Sequence, residues 1–120
     1  EAIVGLYKAV QQYLGQDEAA ELRRLNARCA RFERTLRECG FTRIMRTQEG
    51  PVGQQMPRTY GVMPYGSAEK LAEKMRGEGI YIGAEADNQI LLNPLMVAPS
   101  HVKTVCDALM RCMQQIKEED

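Results

Sequence analysis

Residues 67–97 read SAEKLAEKMRGEGIYIGAEADNQILLNPLMV, and this stretch decides the fold class. Ser67 is a good N-cap and predicts a helix over residues 68–76, which the glycines that follow would end. Two short apolar runs at residues 80–83 and 89–93 flank a turn rich in Asp and Asn, which is typical of a β-hairpin. A helix followed directly by such a hairpin predicts an α+β domain.

Helical patterns fill the N-terminal third of the chain. An initial helix is expected within residues 1–16, stopped at Gly15, and a long helix within residues 17–40, begun by Asp17 and ended by Gly40. The apolar residues of the long helix recur in steps of three and four: Leu22, Leu25, Cys29, Phe32, Leu36 and Cys39. This spacing predicts one apolar face packed on the rest of the domain.

The remaining elements complete a small sheet. Strands are expected at residues 41–47 and 58–63, separated by a loop at 48–57, and a last helix at 101–117 capped by Ser100. The predicted order is α-α-β-β-α-β-β-α, with an antiparallel or mixed sheet of about four strands and helices on one face. Residues 1–120 then form a single domain, in which residues 41–120 hold the sheet and the closing helices.

Composition excludes several classes of protein. The chain has 120 residues, with 44% hydrophobic and 27% charged residues, as in an ordinary globular domain. Sixteen basic and sixteen acidic residues cancel, so net charge gives no reason to expect nucleic acid or an acidic membrane surface. No apolar run approaches the ~20 residues of a membrane span, and the first residues do not show the pattern of a signal peptide. Because the chain begins without Met and within a helical pattern, we expect a piece of something larger.

The four cysteines are expected to be free thiols. Cys29, Cys39, Cys106 and Cys112 contain no closely spaced pair of the kind that binds structural zinc. Three of them, Cys29, Cys39 and Cys112, fall in helical apolar stripes. Such thiols favour an intracellular, cytoplasmic protein rather than a disulfide framework.

Motifs for catalysis are missing from the sequence. His101 is the single histidine and cannot build a metal site alone, and the carboxylates follow ordinary helix-surface spacing. The glycine-rich segments lack the phosphate-binding patterns. We therefore predict no catalytic, cofactor-binding or metal-binding residue in this chain.

Two features suggest binding surfaces instead. Six arginines lie along the long helix: Arg23, Arg24, Arg28, Arg31, Arg34 and Arg37. A basic helix face of this kind can bind RNA, although glutamates are interleaved with the arginines and aromatic side chains that could stack on bases are absent. Met56 and Met96 lie outside the predicted elements, where methionine suits an adaptable partner surface.

The second half of the chain resembles a known family. Residues 70–83, 87–97 and 105–113 read as a helix, a G-I-Y-I strand, an I-L-L-N-P-L strand and a terminal helix. This order is similar to the C-terminal small domain of fold-type I pyridoxal-phosphate (PLP) enzymes, with class III aminotransferases as the nearest look-alikes. Residues 6–14 then resemble the helix leaving the large domain, and residues 17–39 the helix that bridges into the small domain.

The resemblance implies a domain that closes the cleft of a transferase or lyase, while a large domain binds PLP. The lysine that holds PLP and the aspartate that pairs with its ring lie upstream in such enzymes, so neither is assigned here. Many members hold a substrate carboxylate with an arginine near the strand that corresponds to Gln89–Asn93, which has none. Either Arg58 supplies this contact, or the substrate lacks the carboxylate, or the domain no longer binds substrate.

Partners follow from the same resemblance. The expected partner is a PLP-binding large domain or another protein, with a homodimer of the full enzyme and no membrane contact. Leu6, Tyr7, Met56 and Met96 are the expected interface residues. The alternatives are a non-enzymatic protein-interaction module of the same fold and, less favoured, an RNA-binding domain that uses the arginine helix.

Overall fold

The computed structural model describes the backbone of residues 2–49 and 55–119 and the side chains of residues 18–48 and 56–119. Within these ranges the chain forms helices and strands in the following order: α1 (Ala2–Glu38), β1 (Ile44–Glu49), β2 (Gln55–Val62), α2 (Ala68–Gly77), β3 (Gly83–Glu85), β4 (Gln89–Leu92) and α3 (Val102–Glu119). Short 3-10 turns lie at Ala86–Asn88, Pro94–Met96 and Pro99–His101. The α+β class predicted from the sequence is confirmed.

The four strands form one antiparallel sheet in the order β1-β2-β4-β3. Thr59 and Gly61 of β2 lie opposite Leu92 and Ile90 of β4. These four positions are buried, whereas the residues that alternate with them along each strand are partly exposed. Since neighbouring residues of a strand point to opposite faces, one face of the sheet is covered and the other is open.

The three helices pack on the covered face. The buried cluster joins Phe32 and Leu36 of α1 with Leu71 and Met75 of α2 and with one side of α3. The α3 residues of the cluster recur with helical spacing: Val105, Cys106, Ala108, Leu109, Cys112, Met113 and Ile116. The sheet and the helices therefore form two layers around one core, as expected for this class.

Glycine ends two of the helices by the same device. Gly40 has a φ of +98°, the N–H of Gly40 donates to the carbonyl of Arg37, and the N–H of Phe41 donates to that of Leu36. This double closure is the Schellman motif, which favours glycine because the left-handed backbone is costly for other residues. Gly79 at φ +80° closes α2 in the same way, so both predicted helix ends are confirmed.

Several predicted boundaries were wrong. The two N-terminal helical segments are one helix, Ala2–Glu38, because a glycine such as Gly15 costs a helix interior only about 1 kcal/mol. The third strand begins at Gly83 rather than Ile80, because the N–H groups of Gly79 and Ile80 are used in the hydrogen bonds that end α2. The last helix begins at Val102, after a 3-10 turn at Pro99–His101 instead of a Ser100 cap.

Asn88 fixes the turn between β3 and β4 against the start of α2. Its backbone is left-handed at φ +56°, which asparagine tolerates better than most residues. Its side-chain oxygen accepts the N–H of Ala68 at 2.7 Å, and its side-chain nitrogen donates to the carbonyl of Gly66 at 3.0 Å. Asn88 of the Asp-Asn pair in the sequence therefore has a structural role.

Candidate functional site: the Arg58 end of the sheet

Three of the predicted binding residues, Met56, Arg58 and Met96, lie at one end of the sheet. In the register of the strands, Arg58 of β2 lies opposite Thr47, one step beyond the pair formed by Thr59 and Leu92. The chain leaves β4 at this end and reaches β3 from the same end. We call this region the Arg58 end and define it by five residues: Met56, Arg58, Tyr81, Leu95 and Met96.

The Arg58 end carries an unusual amount of exposed apolar surface. Tyr81 is 71% exposed, Leu95 50% and Met96 72%. Tyr81 and Met96 also line one groove of about 290 Å³, together with apolar and polar neighbours: Glu78, Gly79, Ile80, Val97, His101, Thr104 and Val105. Single exposed apolar residues are ordinary, but two that line one groove, as Tyr81 and Met96 do, are typical of a surface that binds a partner or ligand.

The local sequence explains why Leu95 and Met96 point outward. Asn93 caps the 3-10 turn that follows, since its side-chain oxygen accepts the N–H of Leu95 at 3.0 Å. Pro94 is the residue of this turn that is buried, and its carbonyl accepts a hydrogen bond from Arg28 of α1 at 3.3 Å. With Pro94 anchored inward, the next two side chains are left on the surface.

Arg58 and Met56 occupy the open face of the sheet. They alternate along β2 with Pro57 and Thr59, which are buried on the covered face, and each is itself partly buried. Arg58 lies at the same end of the sheet as the segments that carry Tyr81 and Met96. The groove that these two residues line is formed with α3 and with the segment after α2, whereas Arg58 lies on the open face. The predicted interface residues Leu6 and Tyr7 lie outside the residues whose side chains the structure describes.

A polar cluster between α1 and the sheet was missed at the sequence level. Arg46 of β1 makes two parallel hydrogen bonds to Glu33, at 2.7 Å from Nε and 2.5 Å from Nη2. Thr59 donates to the same carboxylate at 3.0 Å, and Asn26 accepts hydrogen bonds from both Arg46 and Gln48. The sequence predicted Glu33 to be a helix-surface residue, because its spacing is that of the exposed face. No local pattern indicates that it pairs with Arg46, which lies 13 residues away.

The cluster controls the charge of Glu33. Burial pushes the pKa of this carboxyl upward, but the hydrogen bonds from Arg46 and Thr59 outweigh burial and leave the pKa below the ordinary value of 4.5. Glu33 is therefore a charged, fully bonded anchor between helix and sheet. Such an arrangement is structural, since the carboxylate has no free proton to exchange with a substrate.

A second carboxylate, Glu78, lies at the groove. Arg111 donates to it at 2.5 Å and the thiol of Cys112 donates at 3.2 Å. The hydrogen bond from Arg111, followed by that from Cys112, lowers the pKa of Glu78. Burial raises the pKa of the Cys112 thiol to about 11, so this cysteine is not a nucleophile.

All four cysteines are free, as predicted. Burial raises the pKa of Cys39 to about 11, and burial also raises that of Cys29 against the hydrogen bond from Thr59. Cys106 is 4% exposed. The thiols are thus core residues rather than reactive groups.

We expect slow alkylation of the folded protein by iodoacetamide at pH 8. A thiol with a pKa near 11 carries roughly a hundredfold less thiolate at this pH than a free cysteine, and burial slows its reaction further. Mass spectrometry of the native and the urea-unfolded protein should show four modified cysteines only after unfolding. Rapid modification of Cys39 or Cys112 in the native state would contradict this reading.

The described lysines do not suit a PLP-binding role. Lys70 and Lys74 form ion pairs with Glu119, at 2.7 Å for Lys74, and Lys103 and Lys117 are exposed. A lysine that forms a Schiff base is activated by an apolar pocket or a neighbouring cation, and none of these four is buried. Among the described residues no group of His, Cys, Asp and Glu could hold a metal ion either.

The arginine helix is partly engaged in structural contacts. Arg24 pairs with Glu21 at 2.8 Å, and Arg28 donates to the carbonyl of Pro94. Arg23, Arg31, Arg34 and Arg37 remain exposed. RNA binding by this face stays a prediction.

Comparison with known proteins gives no relative. No family model, no curated protein and no solved structure matches this chain. Within the described ranges, no helix is both long enough and apolar enough to cross a membrane.

Proposed function

We propose that this chain is the small, cleft-closing domain of a PLP-dependent aminotransferase or a related transferase or lyase. In this proposal the domain supplies no catalytic group and acts through the Arg58 end. The observation that carries it is the exposure of Tyr81, Leu95 and Met96 at the same end of the sheet as Arg58. The family resemblance, drawn from the residues of the same segment, supports the choice of a PLP enzyme.

Closure explains why apolar side chains and a cation occur together. A domain that shuts a cleft expels water from it, which strengthens every electrostatic contact inside. Tyr81, Leu95 and Met96 would contact the body that binds PLP, and the water they displace would favour the closed state. Arg58 would then meet a substrate carboxylate in a dry environment, where a guanidinium binds it best.

In this proposal the catalytic groups belong to the large domain that binds PLP. None of the described lysines fits a PLP linkage, and the carboxylates Glu33 and Glu78 each accept hydrogen bonds from an arginine. The described part of the chain is therefore suited to binding, orientation and the exclusion of water. These are the tasks a protein contributes around a cofactor that carries the reaction.

The test compares the full enzyme with variants of it in which Arg58 is replaced by Ala or by Lys. We expect R58A to raise KM for amino-acid substrates about tenfold or more, and R58K to recover part of the loss, because a charged bidentate contact contributes about 1.5–3 kcal/mol. Arg34→Ala removes an exposed arginine of α1 instead and should leave KM unchanged. Equal KM values for R58A and the unaltered enzyme would remove Arg58 from the site.

A non-enzymatic interaction module remains the second candidate, because the exposed apolar group at the Arg58 end fits a protein partner of any kind. The two candidate functions differ in whether the protein that binds the Arg58 end itself binds PLP. A partner that binds PLP supports the first, and one that binds no cofactor supports the second.

A further inference from the structure

We propose that the open face of the sheet binds a second copy of this chain in a two-fold symmetric dimer. This inference does not depend on the proposed function, since it uses no contact of Arg58, which adjoins the surface concerned on the same face. It rests on two rows of side chains that cross the four strands. The first row is Arg43, Val62, Gln89 and Glu85, and the second is Met45, Tyr60, Leu91 and Gly83.

The register places each row on the open face. Met45 lies opposite Tyr60, Tyr60 opposite Leu91, and Leu91 opposite Gly83. In the other row Val62 lies opposite Gln89 and Gln89 opposite Glu85, while the N–H of Val62 donates to the carbonyl of Arg43 at 3.0 Å. A shallow cavity of about 220 Å³ lies on this surface, lined by residues of both rows: Arg43, Met45, Tyr60, Val62 and Gln89, with Ile44 at its edge.

The far end of both rows also faces outward. A Cβ atom added to Gly83 would lie 3.1 Å from Cβ of Leu91 and 3.4 Å from Oε1 of Glu85. The side chain of Glu85 therefore lies on the same face as Leu91. The charged row thus has a cation at the β1 edge and an anion at the β3 edge, with uncharged residues between them.

This arrangement is complementary to itself. Rotation by 180° about an axis parallel to the strands, between β2 and β4, brings a second sheet face to face and exchanges its two edges. Arg43 then lies opposite the partner's Glu85, and the same pair occurs a second time by symmetry. In the apolar row Met45, which is 55% exposed, lies opposite the gap left by the partner's Gly83.

The charges at the row ends are available for such pairing. Neither Arg43 nor Glu85 has a hydrogen bond or ion pair to another described side chain, and both are exposed. Sheets commonly pack face to face with their strands nearly aligned, which this axis preserves. Four strands span only about 19 Å, so the interface is small and the dissociation constant of the dimer should be micromolar or weaker.

Sedimentation equilibrium of the 120-residue chain tests the proposal between about 10 µM and about 1 mM, where an interface of this size dissociates. We expect a reversible dimer that weakens in high salt. The single variants Arg43→Glu and Glu85→Arg each place like charges opposite one another and should weaken the dimer about tenfold or more. Arg34→Glu makes the same charge change on α1 and should leave the dimer intact.

Two further samples show whether the single variants act on the pairing of Arg43 with the partner's Glu85 or simply disrupt the fold. The double variant R43E/E85R exchanges the charges and should restore the dimer. A mixture of the two single variants should form a heterodimer, because one face then carries only anions at its row ends and the other only cations. A monomer at all concentrations, a dimer that survives both single variants, or a mixture that stays monomeric would overturn the proposal. Circular dichroism establishes that each variant is folded.

Discussion

Replacing Arg46 by methionine should lower the free energy of unfolding by about 3 kcal/mol at pH 7. The substitution keeps much of the volume of the side chain but leaves the carboxylate of Glu33 beside the core with Thr59 as its remaining strong donor. An unpaired buried charge costs far more than the pair contributes, which is why removing one partner is the damaging change. The melting temperature of a domain of this size should fall by roughly 10 °C.

The pH dependence identifies the cause of this loss. Because the pKa of Glu33 in the folded protein lies below its ordinary value of 4.5, the ion pair stabilises the fold above that pH, and its contribution disappears as pH falls through the folded pKa. The difference between R46M and the unaltered protein should therefore shrink at acid pH. Glu33→Leu in the R46M background should restore part of the stability, since it removes the orphaned charge. Urea unfolding at several pH values measures both effects, and a loss below about 1 kcal/mol at pH 7 would contradict the assignment.

Replacing Gly61 by alanine should destabilise the domain by about 2 kcal/mol. A Cβ atom at this position would lie 2.9 Å from Cδ2 of Phe41 and 3.3 Å from Cδ1 of Leu36. Both neighbours are buried, so neither can move aside without disturbing the packing of α1 on the sheet. The contact is therefore too close for any side chain, although the strand conformation itself would accept alanine.

The matched control is Gly77→Ala at the last residue of α2. A Cβ atom there meets nothing within 4 Å, and alanine favours the helix, so stability should rise by about 0.5–1 kcal/mol. Phe41→Leu, which makes room beside the added methyl group, should lessen the penalty of G61A. Thermal unfolding that showed equal effects for G61A and G77A would rule out close packing at Gly61.

Local sequence signals predicted much of this fold, and the prediction failed where the structure depends on contacts between residues distant in sequence. The ends of α1 and α2 followed from Gly40 and Gly79, since the reason for glycine lies within a few residues of each. The break expected at Gly15 did not occur, because one glycine is a weak signal without proline or an opposing cap. The start of β3 moved to Gly83 for a similar reason, since the Schellman closure of α2 uses Ile80.

In the candidate site, too, local features were predictable from the sequence and long-range contacts were not. Met56, Arg58 and Met96 were identifiable from residue type and position, but only the antiparallel register of β2 and β4 brings them to one end of the sheet. The pairing of Glu33 with Arg46 had no local signal. Tyr81 was also missed as a surface residue, because it falls in an apolar run that reads as a buried strand.

The most direct test of the central proposal is the absorption spectrum, together with the intact mass, of this domain as isolated from its natural source. If it closes over a PLP enzyme, the material should contain a much larger PLP-binding body, covalently joined or tightly bound, and should show the visible absorption of bound PLP. Addition of an amino-acid substrate should change that absorption. A colourless 13.6 kDa chain with no PLP-binding body would contradict the proposal.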